Sequence, residues 1–494
     1  MRIFALNCIV IAASSTNSLR GAERPELSRL LPSGGQAGTV IHVEASGKFP
    51  LWPIQAWSDT ESIRWSFEDG AGKLKATIDA NTPPGLHWLR LFHPNGATSV
   101  RPFVVSNAPE QIELEPNNRL AEANAIDSLP RSIHGVLSKR GDVDLFSIVL
   151  VGGQKLVATV DAEQMFHSPL DANLQFLDSD GFLIKECLDH FGLDPSIEMI
   201  APRDGKYLIR VFGFPATPDQ TIAFGGGDAW IYRLRLEPDA DRLRIPLRST
   251  SSLPGYKFQS IEPGQAIARD NALSIVLPAV ITGKIERSDQ HKFLRFQALS
   301  GQLYRLQLRA RELGSELDAT IAILDAQGKQ LSQQDDVGND RDPDLKWKAP
   351  ADGEYTIEIQ DFHKSGGQDF DFELAVSALV QDFKVSVPND LIQATVGKET
   401  EAKTTEIEVK IERECDFAGE IMVSLQGAPE GVECPVVKSI HGSDTAKKVT
   451  LRVKSTVLFQ GPVRISATAA DLVDCIRVAT TEHEKPIWLS SVEE

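Results

Sequence analysis

Two short stretches of this chain gather oxygen-bearing side chains of the kind that hold a hard cation. The first is Glu-Leu-Glu-Pro-Asn-Asn, with Glu113, Glu115, Asn117 and Asn118; the second, shortly after, is Gly-Asp-Val-Asp-Leu-Phe, with Asp142 and Asp144. Alternate residues of an extended segment face the same way, so the first stretch can aim carboxylate and amide oxygens at one point while a second loop closes the shell. Calcium, which takes about six to eight hard oxygen ligands, suits such a set. The same residues also read as a solvated linker with an Asx-turn, which Pro116 and the asparagines favour. A further acidic run, from Asp335 to Asp344, contains Arg341 and reads as an exposed loop, with calcium binding there as the lesser alternative.

Patterns for covalent or metal-assisted catalysis are missing. A nucleophilic hydrolase needs an activated Ser or Cys beside a His, commonly on a Gly-x-Ser-x-Gly elbow, and the sequence has no such elbow. His483 and Glu484 are followed by Lys485, Pro486 and Ile487, so the His-Glu-x-x-His zinc pattern is absent too. Gly225, Gly226 and Gly227 lack the Lys-Ser or Lys-Thr and the helix start of a phosphate loop. The expectation is a protein that is not an enzyme.

The elements that position these groups come in a duplicated unit. Blocks beginning at Gly135, Leu170 and Ala201 recur in order at Gly283, Leu317 and Ala349, an offset of about 148 residues. A repeat of that length is a domain rather than a solenoid unit. Strand signals dominate: Tyr355, Ile357 and Ile359 alternate with polar residues, as do Tyr304, Leu306 and Leu308, and Asp-Gly and Gly-Gly turns separate such runs. The fold class expected is all-β, as tandem β-sandwiches. Its modules are residues 25–106, the two copies at 107–238 and 239–380, and a fourth module at 381–494.

The copies differ in two informative ways. Gln290 and Lys292 stand where the first copy has Asp142 and Asp144, and no Glu-x-Glu-Pro-Asn precedes them. A lysine there places a fixed cation where an ion would sit, so only the first copy is expected to bind. The first copy also carries about eight extra residues between Val211 and Tyr232, which add Phe212, Phe214, Phe224 and Trp230 among prolines and glycines. Such a loop can offer an aromatic surface to a sugar ring or a partner protein, or fold back over its own sandwich.

Composition narrows the partners. A formal net charge of −18 disfavours nucleic acid and anionic lipid, both of which need clustered Lys and Arg. Residues 1–22 have the layout of a secretory signal, and no later run is long enough for a membrane anchor. Of the cysteines beyond that segment, Cys415, Cys434 and Cys475 fall in the last module, where one bridge is possible and its pairing is open.

The Glu-x-Glu-Pro-Asn-Asn, Gly-Asp-Val-Asp-Leu-Phe, Gly-Gly-Gln, Leu-Asp-x-Asp-Gly and Ala-Pro-x-Asp-Gly-x-Tyr blocks resemble the bacterial pre-peptidase C-terminal domain. That is a jelly-roll-like sandwich found behind the catalytic unit of many secreted proteases. Residues 25–106 resemble an IPT/TIG immunoglobulin-like domain, through Pro-x-Gly-Gly-x-x-Gly-Thr and the Gly96 hairpin. The fourth module is expected to be a further immunoglobulin-like sandwich. The resemblance implies calcium at Glu113, Glu115, Asn117, Asn118, Asp142 and Asp144, and a secreted or cell-envelope location. It also implies a non-catalytic binding or scaffolding role toward an extracellular polymer or envelope protein. The alternatives are an accessory or inhibitory subunit of a separate secreted peptidase or glycoside hydrolase and, third, a cryptic hydrolase. The sequence departs from the family's commonest setting, since the stretch ahead of the first copy is too short for a protease domain.

Overall fold

The computed structural model describes residues 23–188, 193–214, 224–238, 256–313, 315–336, 342–397, 403–472 and 475–493. The expected signal segment, the tip of the aromatic insertion at 215–223 and the middle of the run from Asp335 lie outside the described residues. The described chain is all-β, with helical turns of only a few residues. No helix among the described residues is long and apolar enough to cross a membrane.

In the first copy one sheet orders the strands Glu110–Ile112, Arg131–Val136, Ile231–Glu237, Lys155–Asp161 and Ser196–Ile200. Facing it is a second sheet of Asn124–Ile126, Asp144–Leu150, Gly205–Phe214, Asp171–Leu177 and Leu183–Cys187. The second copy repeats both orders, with Lys257–Ser260 through Asp344–Lys348 in one sheet and Leu273–Ser274 through Gln330–Gln334 in the other. Period-two patterning accounts for each sandwich: Tyr304, Leu306 and Leu308 point into the core while their neighbours stay partly exposed. Gly135 and Gly283 recur because an aromatic ring lies on each. An added Cβ would come within 2.2 Å of the Tyr232 ring at Gly135 and 2.6 Å of the Phe372 ring at Gly283.

A short helical turn is pinned the same way in both copies. Asp194 accepts the backbone N–H groups of Glu163 and Gln164, and Asp342 those of Ala310 and Arg311. Asp342 and Asp344 are therefore structural members of the acidic run, Asp344 forming a two-pronged pair with Arg305 at 2.6 and 2.7 Å.

Residues 25–106 form two facing sheets around Leu30, Val43, Leu74, Leu89 and Phe103. The last module packs Phe383, Val409, Leu451, Ile465 and Leu489 between its sheets. No disulfide joins the described cysteines, so burial carries these sandwiches.

The described residues form two compact units: the second copy, and the other three modules together. Within the larger unit, Val104 of the first module packs with Val136, Met165, Phe166 and Ile231 of the first copy. Arg90, fully buried, pairs with Asp390 of the last module and stacks over Trp488, which also meets Trp57 and Phe92.

Candidate metal site

The strand from Glu110 runs parallel to Arg131–Val136, and Glu113 continues that pairing by donating its N–H to the His134 carbonyl at 3.0 Å. This brings the Glu113 carboxylate, almost wholly buried, beneath the sheet, where Oε1 accepts the Val136 N–H at 2.6 Å. Asp144 opens its strand opposite Val211 and is fully buried. The Tyr232 hydroxyl stands between the two acids, 2.5 Å from Asp144 Oδ2 and 3.2 Å from Glu113 Oε2. Glu115, at the exposed end of the linker, completes a group of three carboxylates whose oxygens lie within 4.8 Å of one another.

One phenolic hydrogen cannot satisfy two buried carboxylates. Burial raises Glu113 to about 7, with the charge of Glu115 adding to it. Burial and then the charge of Glu113 push Asp144 well above the usual carboxylate range, and burial, then the charges of Asp144 and Glu113, push Tyr232 up. Without a cation, the cluster must keep protons to exist. Two oxygens remain without any hydrogen-bond partner, Asp144 Oδ1 and Asn117 Oδ1, both on fully buried side chains. Unpartnered buried acceptors beside a repelling carboxylate set are what a hard cation relieves, so the residues fit calcium.

The six expected ligands divide. Glu113, Glu115 and Asp144 converge, with Asn117 beside Glu113 at 3.5 Å. Asp142 and Asn118 belong instead to the turn: Asp142 Oδ2 accepts the Ser138 N–H and hydroxyl, and Oδ1 accepts the Asn118 amide. Gln290 closes the same turn in the second copy, accepting the N–H groups of Glu286 and Arg287. An aspartate and a glutamine serve that purpose equally, so Asp142 is held there by the turn.

The remaining positions change together between the copies. Ile261 makes the backbone bond that Glu113 makes, and Phe372 faces Gly283 as Tyr232 faces Gly135. Lys292, opposite Ile359, takes the register place of Asp144, and its fully buried ammonium donates to Glu286 Oε1 at 2.7 Å and to the Gln265 carbonyl at 3.0 Å. The second copy has lost its acids and the hydroxyl and gained a tethered cation. Replacing Lys292 with methionine should cost the second copy about 1–3 kcal/mol, because Glu286 and the Gln265 carbonyl lose their partner. Calcium titration of that variant, followed by melting, should show an unchanged response of the first copy; a changed one would mean that the ion is read elsewhere.

No family model matches the chain. Over 184 residues, 34% of its length, it is 29% identical to a probable subtilase-type serine protease of Deinococcus radiodurans. It spans 24% of that relative. Solved structures with similarity include the pre-peptidase C-terminal domain of a collagenase from Bacillus anthracis, at 17% identity and a TM-score of 0.19, covering 25% of this chain and 100% of that one. Another is a periplasmic inhibitor of g-type lysozyme from Aeromonas hydrophila, at 17% identity and a TM-score of 0.17, covering 25% and 99%. A third is a mixed-linkage glucan utilization locus protein of Bacteroides ovatus, in complex with a mixed-linkage heptasaccharide, at 9% identity and a TM-score of 0.17, covering 73% of each.

The described ends of the aromatic insertion pack on their own sandwich. Phe212 is buried and holds Phe224 at 4.4 Å and Phe214 at 6.0 Å between ring centres. Trp230 packs against the core and lies over Gly213 and Gly225, whose backbones pair. Of the four candidates only Phe224 is classed as exposed, so these rings form no open platform among the described residues.

Sequence reasoning passed over Tyr232. Its signal was present, since Tyr232 and Phe372 differ by the one hydroxyl that only an acidic site needs. It also passed over a buried polar seam between the first module and the first copy. Ser33 Oγ meets His134 Nδ1 at 3.1 Å, His134 Nε2 meets Glu110, and Arg233 donates to Glu110 at 2.7 Å. The order Ser, His, Glu resembles a hydrolase triad, but Ser33 is 2% and His134 1% exposed. A seam at that depth fastens modules.

Proposed function

We propose that this protein is a non-catalytic, secreted or envelope-associated binding and scaffolding protein whose first sandwich copy is ordered by calcium. Glu113, Glu115 and Asp144, with Asn117 Oδ1, would hold the ion. The carrying observation is that the unpartnered oxygens of Asn117 and Asp144 sit among repelling carboxylates in the first copy, while the second copy puts a lysine ammonium at the corresponding place. A site at this linker fixes the entry of the chain into the sandwich, a mechanical role suited to an extracellular spacer.

Extracellular modules bind calcium with dissociation constants of roughly 0.1–1 mM, so millimolar calcium should add about 0.4–1.4 kcal/mol to the folded first copy. The test is calcium titration followed by melting temperature. A rise is expected in the wild type and none in Asp144→Asn; a flat wild-type response up to about 10 mM, far above that range, sinks the calcium reading.

A second reading, an accessory subunit beside a separate secreted peptidase, is favoured by the stretch shared with the probable subtilase-type protease. Affinity capture from an envelope fraction separates the two. Wall polymer or surface protein recovered with the chain supports scaffolding, and a peptidase in fixed ratio supports the accessory role.

A further inference from the structure

The larger unit contains a cavity of about 200 Å³ lined by residues of the first module and the first copy. Its charged lining is two guanidinium groups, Arg29 and Arg101, beside the His167 ring, in a chain whose net charge is −18. Neither arginine pairs with a carboxylate among the described residues. Arg29 donates to the Ser46 hydroxyl and the Asp228 carbonyl, and Arg101 to the Leu27 carbonyl at 2.9 Å. Asp390, the acid whose field reaches Arg101, is already engaged by Arg90.

The last module adds to the positive field. The His167 ring lies 3.8 Å from the His483 ring, which has Glu482 at 3.7 Å. Burial, then the charges of His483, Lys485 and Arg101, lower His167 to about 4. Burial likewise lowers Arg101, so its charge is held at a cost that an anion would offset. The other walls are mostly apolar, with Leu30, Phe166 and Ile231 among them.

We propose that this cavity binds a carboxylate carried on a compact apolar group, the chemistry of a small organic acid or of a peptide's C-terminal residue. A guanidinium fork matches a carboxylate in two parallel hydrogen bonds, and Phe166 and Ile231 receive the apolar body. The volume lies below the roughly 300–1,000 Å³ of drug-sized pockets, which limits the occupant to about one residue. The site stands apart from the calcium linker and does not rest on it.

The probes are N-acetyl-leucine, its amide, a hexapeptide ending in leucine, and acetate, each added to the full chain and followed by calorimetry and melting. N-acetyl-leucine at 10 mM should raise the melting temperature by about 2–4 °C, the shift of a ligand in roughly fivefold excess over its dissociation constant. The amide should have no effect, and Arg101→Gln and Arg29→Gln should each weaken binding at least tenfold. The hexapeptide binding as tightly as N-acetyl-leucine assigns the site to peptide ends, and its failure beside a binding N-acetyl-leucine assigns it to free acids. Equal effects of acid and amide, no effect of the acid, or acetate as effective as N-acetyl-leucine would each overturn the proposal. The acid and amide comparison needs no variant, so it decides even if an arginine substitution unfolds the unit.

Discussion

Replacing Arg233 with methionine should lower the stability of the larger unit by about 3–5 kcal/mol, the usual cost of removing one partner from a buried ionic group. Arg233 is 1% exposed and joins Glu110 at 2.7 Å to Asp161 at 3.5 Å. Asp161 retains Arg235 at 2.8 Å, so the loss falls chiefly on Glu110, left with His134 and Ser106 inside the seam. Burial alone would push Glu110 up, but the charges of Arg233 and His134 outweigh it and hold the carboxyl at about 2. A depressed carboxylate stabilises fully above its ordinary value near 4.5, and the contribution disappears as pH falls toward 2. At about 1.4 kcal/mol per unit, that is about 2 kcal/mol lost by pH 3 in the wild type and far less in the variant. Denaturant unfolding at pH 7 and pH 3 measures both, and a variant within 1 kcal/mol of wild type at pH 7 would show that Arg235 takes over.

Calcium and pH should act on one another with the opposite sign. Glu113 is raised to about 7, so between about 4.5 and 7 the unfolded chain releases a proton that the calcium-free folded chain keeps. Stability without calcium must therefore fall as pH rises through that window, by up to about 3 kcal/mol from Glu113 alone, and Asp144, raised as well, adds to the fall. Calcium selects the ionised carboxylates and opposes the fall. In a chelator the melting temperature should drop from pH 4.5 to 7.5, with calcium the drop should be shallower, and Glu113→Gln should flatten the difference. Parallel curves with and without calcium would place the ion, if any, away from Glu113.

Local pattern made the sandwiches legible in the sequence. Period-two runs such as Tyr304, Leu306 and Leu308 report which face is buried, and the duplication gave each strand a second reading. Asp144 and the lysine of the sister copy could be compared because both lie inside a repeated block, and Glu113 could be joined to Asp144 only through the family resemblance of its linker. Asp142 could not be separated from Asp144, because a carboxylate that closes a turn and one that faces a cavity look alike in a Gly-Asp-x-Asp run. The aromatic insertion was ambiguous for a related reason: composition gives apolar area but not the direction in which a loop folds. Tyr232, Arg233 and Ser33 come from distant strands, and only the register of the sheets brings them to Glu113, Glu110 and His134.

The pairing of Arg90 with Asp390, 300 positions apart, has a bearing on how the chain assembles. Emerging from a ribosome, the first module exposes the apolar patch around Phe92 and Ala97 until Trp488, far downstream in the chain, has been made. The intervening second copy is contiguous in sequence and can complete its own core during that wait. The closure that unites the first and fourth modules is thus a highly non-local step, and the interval before it leaves the nascent protein open to mispairing with another copy or capture by a chaperone.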